Sequence, residues 1–139
     1  MKLELVTLRG VKLSEEVYEI QIPTAAGDIS VFSNHEPLIT IAKPGVLMVR
    51  RQADDTDDEQ EAYAIKGGAV HIQDNLVKIL VDEADHADEI TAAEAEAALE
   101  RARQQRKGAK DAVSISEAEA LINRAAIRLK VAGLRRRQR

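Results

Sequence analysis

The sequence predicts a mainly β protein with an α-helical end: an N-terminal antiparallel β-sandwich over residues 1–86, then a C-terminal antiparallel two-helix hairpin over residues 87–139. Three observations carry this prediction. Apolar residues alternate at period two through most of the first 82 residues. Turn-forming residues interrupt them at short intervals. From Ala87 onward proline is absent, alanine dominates and the apolar period becomes helical.

The strands follow in order. Leu3 and Leu5 alternate with Lys2 and Glu4, and Tyr18, Ile20 and Ile22 alternate with Glu19 and Gln21. Ile39 and Ile41 flank Thr40, and Val70 and Ile72 flank His71. Val77, Ile79 and Val81 alternate with Lys78 and Leu80. Because successive side chains of a strand point to opposite faces, each of these apolar sets is expected inward. Val46-Leu47-Met48-Val49 is continuously apolar, which suits a strand covered on both faces. The breaks fall at Gly10, Ala26-Gly27-Asp28, Pro44-Gly45, Gly67-Gly68 and Asp74-Asn75. Pro44-Gly45 suits a tight turn in which Gly45 supplies a positive φ. Residues 54–61 read as an acidic hairpin tip.

Two helix starts are marked by capping-box signatures, Thr91-Ala92-Ala93-Glu94 and Ser114-Ile115-Ser116-Glu117. Gly108, with Lys107 and Lys110, marks the end of the first helix and a turn. The facing stripes are Ala95, Ala98 and Ala102 on one helix, and Ile115, Ala118, Ile122, Ala125, Leu129 and Ala132 on the other. Alanine brings the axes close but buries little, under about 0.8 kcal/mol per methyl group. The hairpin is therefore expected to be marginal alone and to need a surface to dock on.

Charge divides at the same boundary. The 139 residues carry a net charge of −4. Residues 1–86 hold 8 Lys/Arg against 16 Asp/Glu, whereas residues 87–139 hold 12 against 8. Residues 116–139 alone carry 7 Lys/Arg against Glu117 and Glu119. Acids at the start and bases at the end suit the helix dipole, but the dipole does not require this many cations. The surplus points to an acidic protein surface or to phosphates.

Composition removes several function classes. No cysteine is present, which excludes disulfides, zinc thiolates and thiol catalysis. No apolar run is long enough to span a bilayer, and the first ten residues lack a signal-peptide layout, so a cytosolic or membrane-peripheral protein is expected. The acidic run at 54–59 lacks the central Gly and distal Glu of a calcium loop. Gly67-Gly68 is not followed by the Lys and Ser/Thr of a phosphate loop. His71 reads as a surface residue, His86 as a structural linker residue and His35 as a contact or turn-fixing residue; none has further ligands at metal spacing. No nucleophile with a neighbouring base is visible, so no enzyme is expected. A freestanding nucleic-acid-binding module using the basic tail is the alternative. The acidic first half and the poverty of aromatics (Tyr18, Phe32, Tyr63 and no Trp) count against it.

The run Gly27-Asp28-Ile29-Ser30-Val31-Phe32-Ser33-Asn34-His35-Glu36-Pro37-Leu38 resembles the Gly-x-Leu-Gly-Ile-x-x-x-His-x-Pro-Leu stretch of the epsilon subunit of F-type ATP synthases. Lys43-Pro44-Gly45-Val46 resembles that family's Lys-Pro-Gly turn, and residues 65–72 its Gly-Gly strand pair. Arg128-Leu129-Lys130-Val131-Ala132 resembles the end of its second helix. Ser30 replaces the usual second Gly, residues 8–15 lack the common Ser-x-Glu pattern, and the hairpin at 52–60 is unusually acidic.

The resemblance implies a non-catalytic rotor subunit of a proton-translocating synthase, peripheral to the cytoplasmic face of the cell membrane and held there only through the complex. Ala26, Gly27, Asp28 and Ile29 match the family's tip facing the ring of c subunits. His35 and Pro37 match the segment facing gamma. The hairpin, when extended, is expected to reach the alpha/beta catalytic head and restrain ATP hydrolysis through Arg124, Arg128, Arg135, Arg136, Arg137 and Arg139. The family's ATP motif in the hairpin, Ile/Leu-Asp-x-x-Arg-Ala, is matched at Ile90 and Ala95. Thr91 stands in place of its Asp and Glu94 in place of its Arg, while Arg101, Arg124 and Arg128 match further basic positions. A carboxylate in place of a phosphate-side cation reverses the charge, so no cofactor and weak or absent ATP binding are expected.

Overall fold

The computed structural model describes the backbone of residues 1–137 and the side chains of residues 1–134. The side chains of Arg135, Arg136 and Arg137 and all of Arg139 lie outside the described residues. The strands are β1 (Lys2–Thr7), β2 (Gly10–Glu16), β3 (Glu19–Thr24), β4 (Gly27–Val31), β5 (Leu38–Ala42), β6 (Gly45–Arg50), β7 (Glu61–Ile65), β8 (Gly68–Gln73), β9 (Leu76–Val81) and β10 (Ala84–His86). Helices α1 (Ala92–Gly108) and α2 (Ala112–Arg137) follow.

The strands form one hydrogen-bonded path, β10-β7-β6-β3-β5-β8-β9-β1-β2, with β4 paired to β3. It folds over itself into a sandwich around Leu3, Leu5, Ile20, Ile22, Leu47, Val49, Val70, Ile72, Val77 and Ile79, all buried. The expectation of a wholly antiparallel sandwich needs one amendment. β1 runs parallel to β9, with Leu3 beside Val77 and Leu5 beside Ile79. Parallel neighbours need a long crossover, and here the crossover is the intervening sandwich itself. The β8–β9 hairpin turns at Asp74 and Asn75, both at positive φ (52° and 60°), the pair a two-residue hairpin turn demands.

The continuous run Val46–Val49 is covered on both faces, as expected. Leu47 and Val49 enter the sandwich core, while Val46 and Met48 pack against a second cluster under the hairpin. That cluster comprises Ala62, Ala64, Ala87, Ile90, Ala95, Val131 and Ala132. The helix seam matches expectation at Ala95, Ala102, Ala118, Ala125 and Ala132, which are all buried. Val131, outside the expected seam, is buried in the cluster between hairpin and sandwich.

Four local expectations are corrected. Ile39 and Ile41 point outward, with Ile39 77% exposed. Every residue of β5 except Thr40 is apolar, so its pattern is ambiguous. Leu38, Thr40 and Ala42 oppose Ile72, Val70 and Gly68 and take the inward phase. Tyr18 is also outward, edge-on to Phe32 at a centroid distance of 5.7 Å. Gly45 does not have a positive φ; it begins β6, where a Cβ would approach the Pro23 ring to 3.0 Å. Neither capping box forms as expected. The Thr91 side chain makes no cap hydrogen bond. Thr91 and Glu94 are both exposed, so water competes for the free amides. Asp111, rather than Ser114, caps α2: its Oδ1 accepts from the Ser114 amide at 2.7 Å. That bond holds the Asp111 carboxyl below the usual carboxylate range. A capping box does form at Thr56 and Glu59, inside the acidic tip, where none is expected.

Gly68 and Gly133 should respond to alanine in opposite ways. A Cβ on Gly68 would lie 1.9 Å from the Leu80 carbonyl oxygen of β9, so Gly68→Ala must push β8 and β9 away from each other. Its expected cost is about 3 kcal/mol or more by chemical denaturation. Gly133 lies exposed within α2, and an added methyl group there would meet nothing within 4 Å. Gly133→Ala should stabilise by about 0.5–1 kcal/mol.

Candidate functional site

Three surfaces hold the residues singled out from the sequence. The first is the outer face of the strands β5, β8, β9, β1 and β2. Ile41, Ala69, Leu80, Val6 and Val11 are successive cross-strand partners, so they form one row on one face. Ile41 (64%), Leu80 (44%) and Val11 (66%) are all strongly exposed. At the usual strand spacing the row extends about 19 Å. The next row, Ile39, His71, Lys78 and Glu4, is polar except at Ile39. Isolated exposed apolar residues are ordinary, but five in register form a contiguous patch of the kind that marks interaction sites. His71, expected on a polar strand face, lies beside this patch.

His35 and Pro37 lie in the loop that leads into β5 and hence into Ile39 and Ile41. The His35 Nδ1–H donates to the Glu36 carbonyl at 2.7 Å, which fixes the ring locally. The loop is tied to the β8–β9 turn by Asn34, whose amide donates to the Asn75 side chain and whose Oδ1 accepts from it. Pro37 is exposed and His35 half-buried.

The second surface is the β3–β4 tip. Gly27 has a φ of 120°, and the Thr24 hydroxyl donates to its carbonyl. Ala26 and Asp28 are exposed, whereas Ile29 packs against the sandwich core. Of the four expected tip residues, Ile29 is thus the least available to a partner.

The third surface is the junction of β10 with the hairpin. Arg124 Nε donates to Glu83 Oε1 at 2.9 Å, and Arg128 donates to Asp85. Arg128 also lies 4.0 Å from Glu83. Burial alone pushes the Glu83 carboxyl up, but the hydrogen bond and charge of Arg124, with the charge of Arg128, hold it below the usual carboxylate range. Lys12 of β2 pairs with Glu89 nearby. His86 is structural, as expected: its Nδ1 accepts the Asp88 amide at 3.1 Å, and its ring meets Tyr63 edge-on. Sequence reasoning missed Glu83 and Asp85, because their partners lie 41 and 43 residues away. The alternation around buried Ala84 was the one available signal.

The positions that match the ATP motif differ in exposure. Ile90 and Ala95 are buried in the cluster beneath the hairpin, and Thr91, Glu94 and Arg101 are exposed. No group of His, Asp or Glu able to hold a metal occurs among the described residues. No helix there is long and apolar enough to cross a membrane.

Comparison with known proteins places this arrangement. The profile of the ATP synthase delta/epsilon chain β-sandwich domain matches residues 1–87. The ATP synthase epsilon chain of Herpetosiphon aurantiacus is 38% identical over 136 residues, 98% of this chain and 96% of that relative. The chloroplastic ATP synthase epsilon chain of Oltmannsiellopsis viridis is 40% identical over 87% of this chain and 88% of that relative. A chain of the Euglena gracilis mitochondrial ATP synthase, solved with its c-ring, superposes with a TM-score of 0.79 at 28% identity, covering 94% of this chain and 79% of that one. A chain of the Tetrahymena thermophila central stalk shares the fold alone, at 18% identity and a TM-score of 0.62. The chain belongs to the epsilon chains of ATP synthases, non-catalytic subunits of the central stalk.

Proposed function

We propose that this epsilon chain couples rotation of the c-ring to the catalytic head by docking its sandwich on gamma and the ring, and that its hairpin regulates ATP hydrolysis. The observation that carries the docking half is the row formed by Ile41, Ala69, Leu80, Val6 and Val11. An apolar row of about 19 Å left in water is costly unless a partner covers it. β5, which carries Ile41, follows directly on the loop of His35 and Pro37. The family resemblance sets that loop against gamma, so gamma is the proposed occupant. Ala26, Gly27 and Asp28 at the β3–β4 tip are the proposed ring contact. The coupling ion is proposed to be the proton, and the chain is proposed to reach the cytoplasmic face of the membrane through its partners.

The regulatory half rests on the hairpin's construction. Five of the seven buried residues in its contact with the sandwich are alanines, beside Ile90 and Val131, with Val46, Met48, Ile127, Leu129 and Leu134 partly buried against them. Docked and extended arrangements are proposed to interchange. Arg124 and Arg128, with the arginines at 135–137, are the proposed contacts to acidic segments of the catalytic head. The acidic first 86 residues and the absence of Trp count against the nucleic-acid reading.

Ile41→Asp and Leu80→Asp should each weaken association with the gamma subunit at least 30-fold, about 2 kcal/mol. Both positions are exposed, so circular dichroism should be unchanged. Full affinity in both variants contradicts the docking surface. Deleting residues 116–139 should raise the ATPase activity of the assembled complex, and unchanged activity across salt and nucleotide conditions contradicts the regulatory role. Calorimetry with ATP should show no site tighter than about 0.1 mM, roughly −5.5 kcal/mol.

A further inference from the structure

The acids of residues 83–85 and the bases of α2 are matched in spacing. Ala84 is buried, so Glu83 and Asp85 project to the same side of the strand, away from the core. Two strand residues span about 6.7 Å. Arg124 and Arg128 are four residues apart on one helix face and span about 6 Å. The two lengths agree, so Arg124 meets Glu83 while Arg128 meets Asp85. Among the described residues, every ion pair that joins α2 to the rest of the chain outside the hairpin runs to one of these two carboxylates. The apolar contact beside them combines Ala62, Ala64, Ala87, Ala95 and Ala132 with Ile90 and Val131.

We propose that Glu83 and Asp85 act as an internal decoy for an acidic partner: they occupy Arg124 and Arg128 while the hairpin is docked, so the basic face of α2 is withheld until both pairs break. The proposal rests on the reading of α2 as a contact for acidic protein segments. A competing segment must present two carboxylates at the same spacing of about 6–7 Å, roughly two residues along an extended strand or four along a helix. Half-exposed pairs are screened by salt, so docking should loosen as ionic strength rises.

The test uses the full chain, which has no native cysteine to interfere. Ala64→Cys places a thiol on β7 beneath the hairpin, and Val70→Cys places one in the sandwich core. Labelling of the first reports the fraction of open hairpins, and labelling of the second reports global unfolding. Adding Glu83→Gln with Asp85→Asn should speed labelling at position 64 at least tenfold and leave position 70 unchanged. Arg124→Gln with Arg128→Gln should do the same. Exchanging all four charges (Glu83→Arg, Asp85→Arg, Arg124→Glu, Arg128→Glu) should return the rate to within threefold of the parent. Equal rates at position 64, equal acceleration at both positions, or no return on charge exchange overturns the decoy. The acidic-partner reading fails separately. It falls if the neutral pair Glu83→Gln and Asp85→Asn opens the hairpin yet leaves inhibition of the assembled complex's ATPase unchanged.

Discussion

The parallel register of β1 on β9 sets both faces of the sandwich at once. Leu3 beside Val77 and Leu5 beside Ile79 fill the core. The same register must then place Val6 beside Leu80 on the outside. A slip of one residue would reverse every side chain of β1, burying Lys2, Glu4 and Val6 and exposing Leu3 and Leu5. The burial of two leucines therefore holds the outer row in place. The core and the exposed apolar row are two consequences of one pairing.

The two outer faces of the sandwich meet different fates. Over β6 and β7 the hairpin supplies a cover, and Val46, Met48, Ala62 and Ala64 are packed beneath it. Over β5, β8, β9, β1 and β2 none of the described residues supplies one, and the apolar row stays exposed. The covered face combines alanines with Ile90 and Val131, flanked by the ion pairs of Arg124 and Arg128. The uncovered face leaves Ile41, Leu80 and Val11 strongly exposed.

Legibility in the sequence followed the strength of the local signal. β1, β8 and β9 alternate apolar with polar residues, and their inward sets were read correctly. β5 offers apolar residues in both phases, and only its pairing with β8 decides between them. The exposed row could not be seen from single strands, since it exists only across five of them. The helices were plain from alanine and the absence of proline, but their starts were not. Asp111 outcompetes Ser114 because its carboxylate reaches the Ser114 amide directly. The basic surplus of α2 was legible, whereas its acidic counterpart at Glu83 and Asp85 was hidden by sequence distance.

Carbene footprinting of the chain, free and in the assembled synthase, tests the docking of the sandwich most directly. Labelling of Ile41, Leu80 and Val11 is predicted to fall sharply on assembly. Tyr18 and Phe32, also exposed but off the row, should keep most of theirs. Undiminished labelling of the row in the assembled complex, with protection elsewhere on the sandwich, would contradict the docking surface.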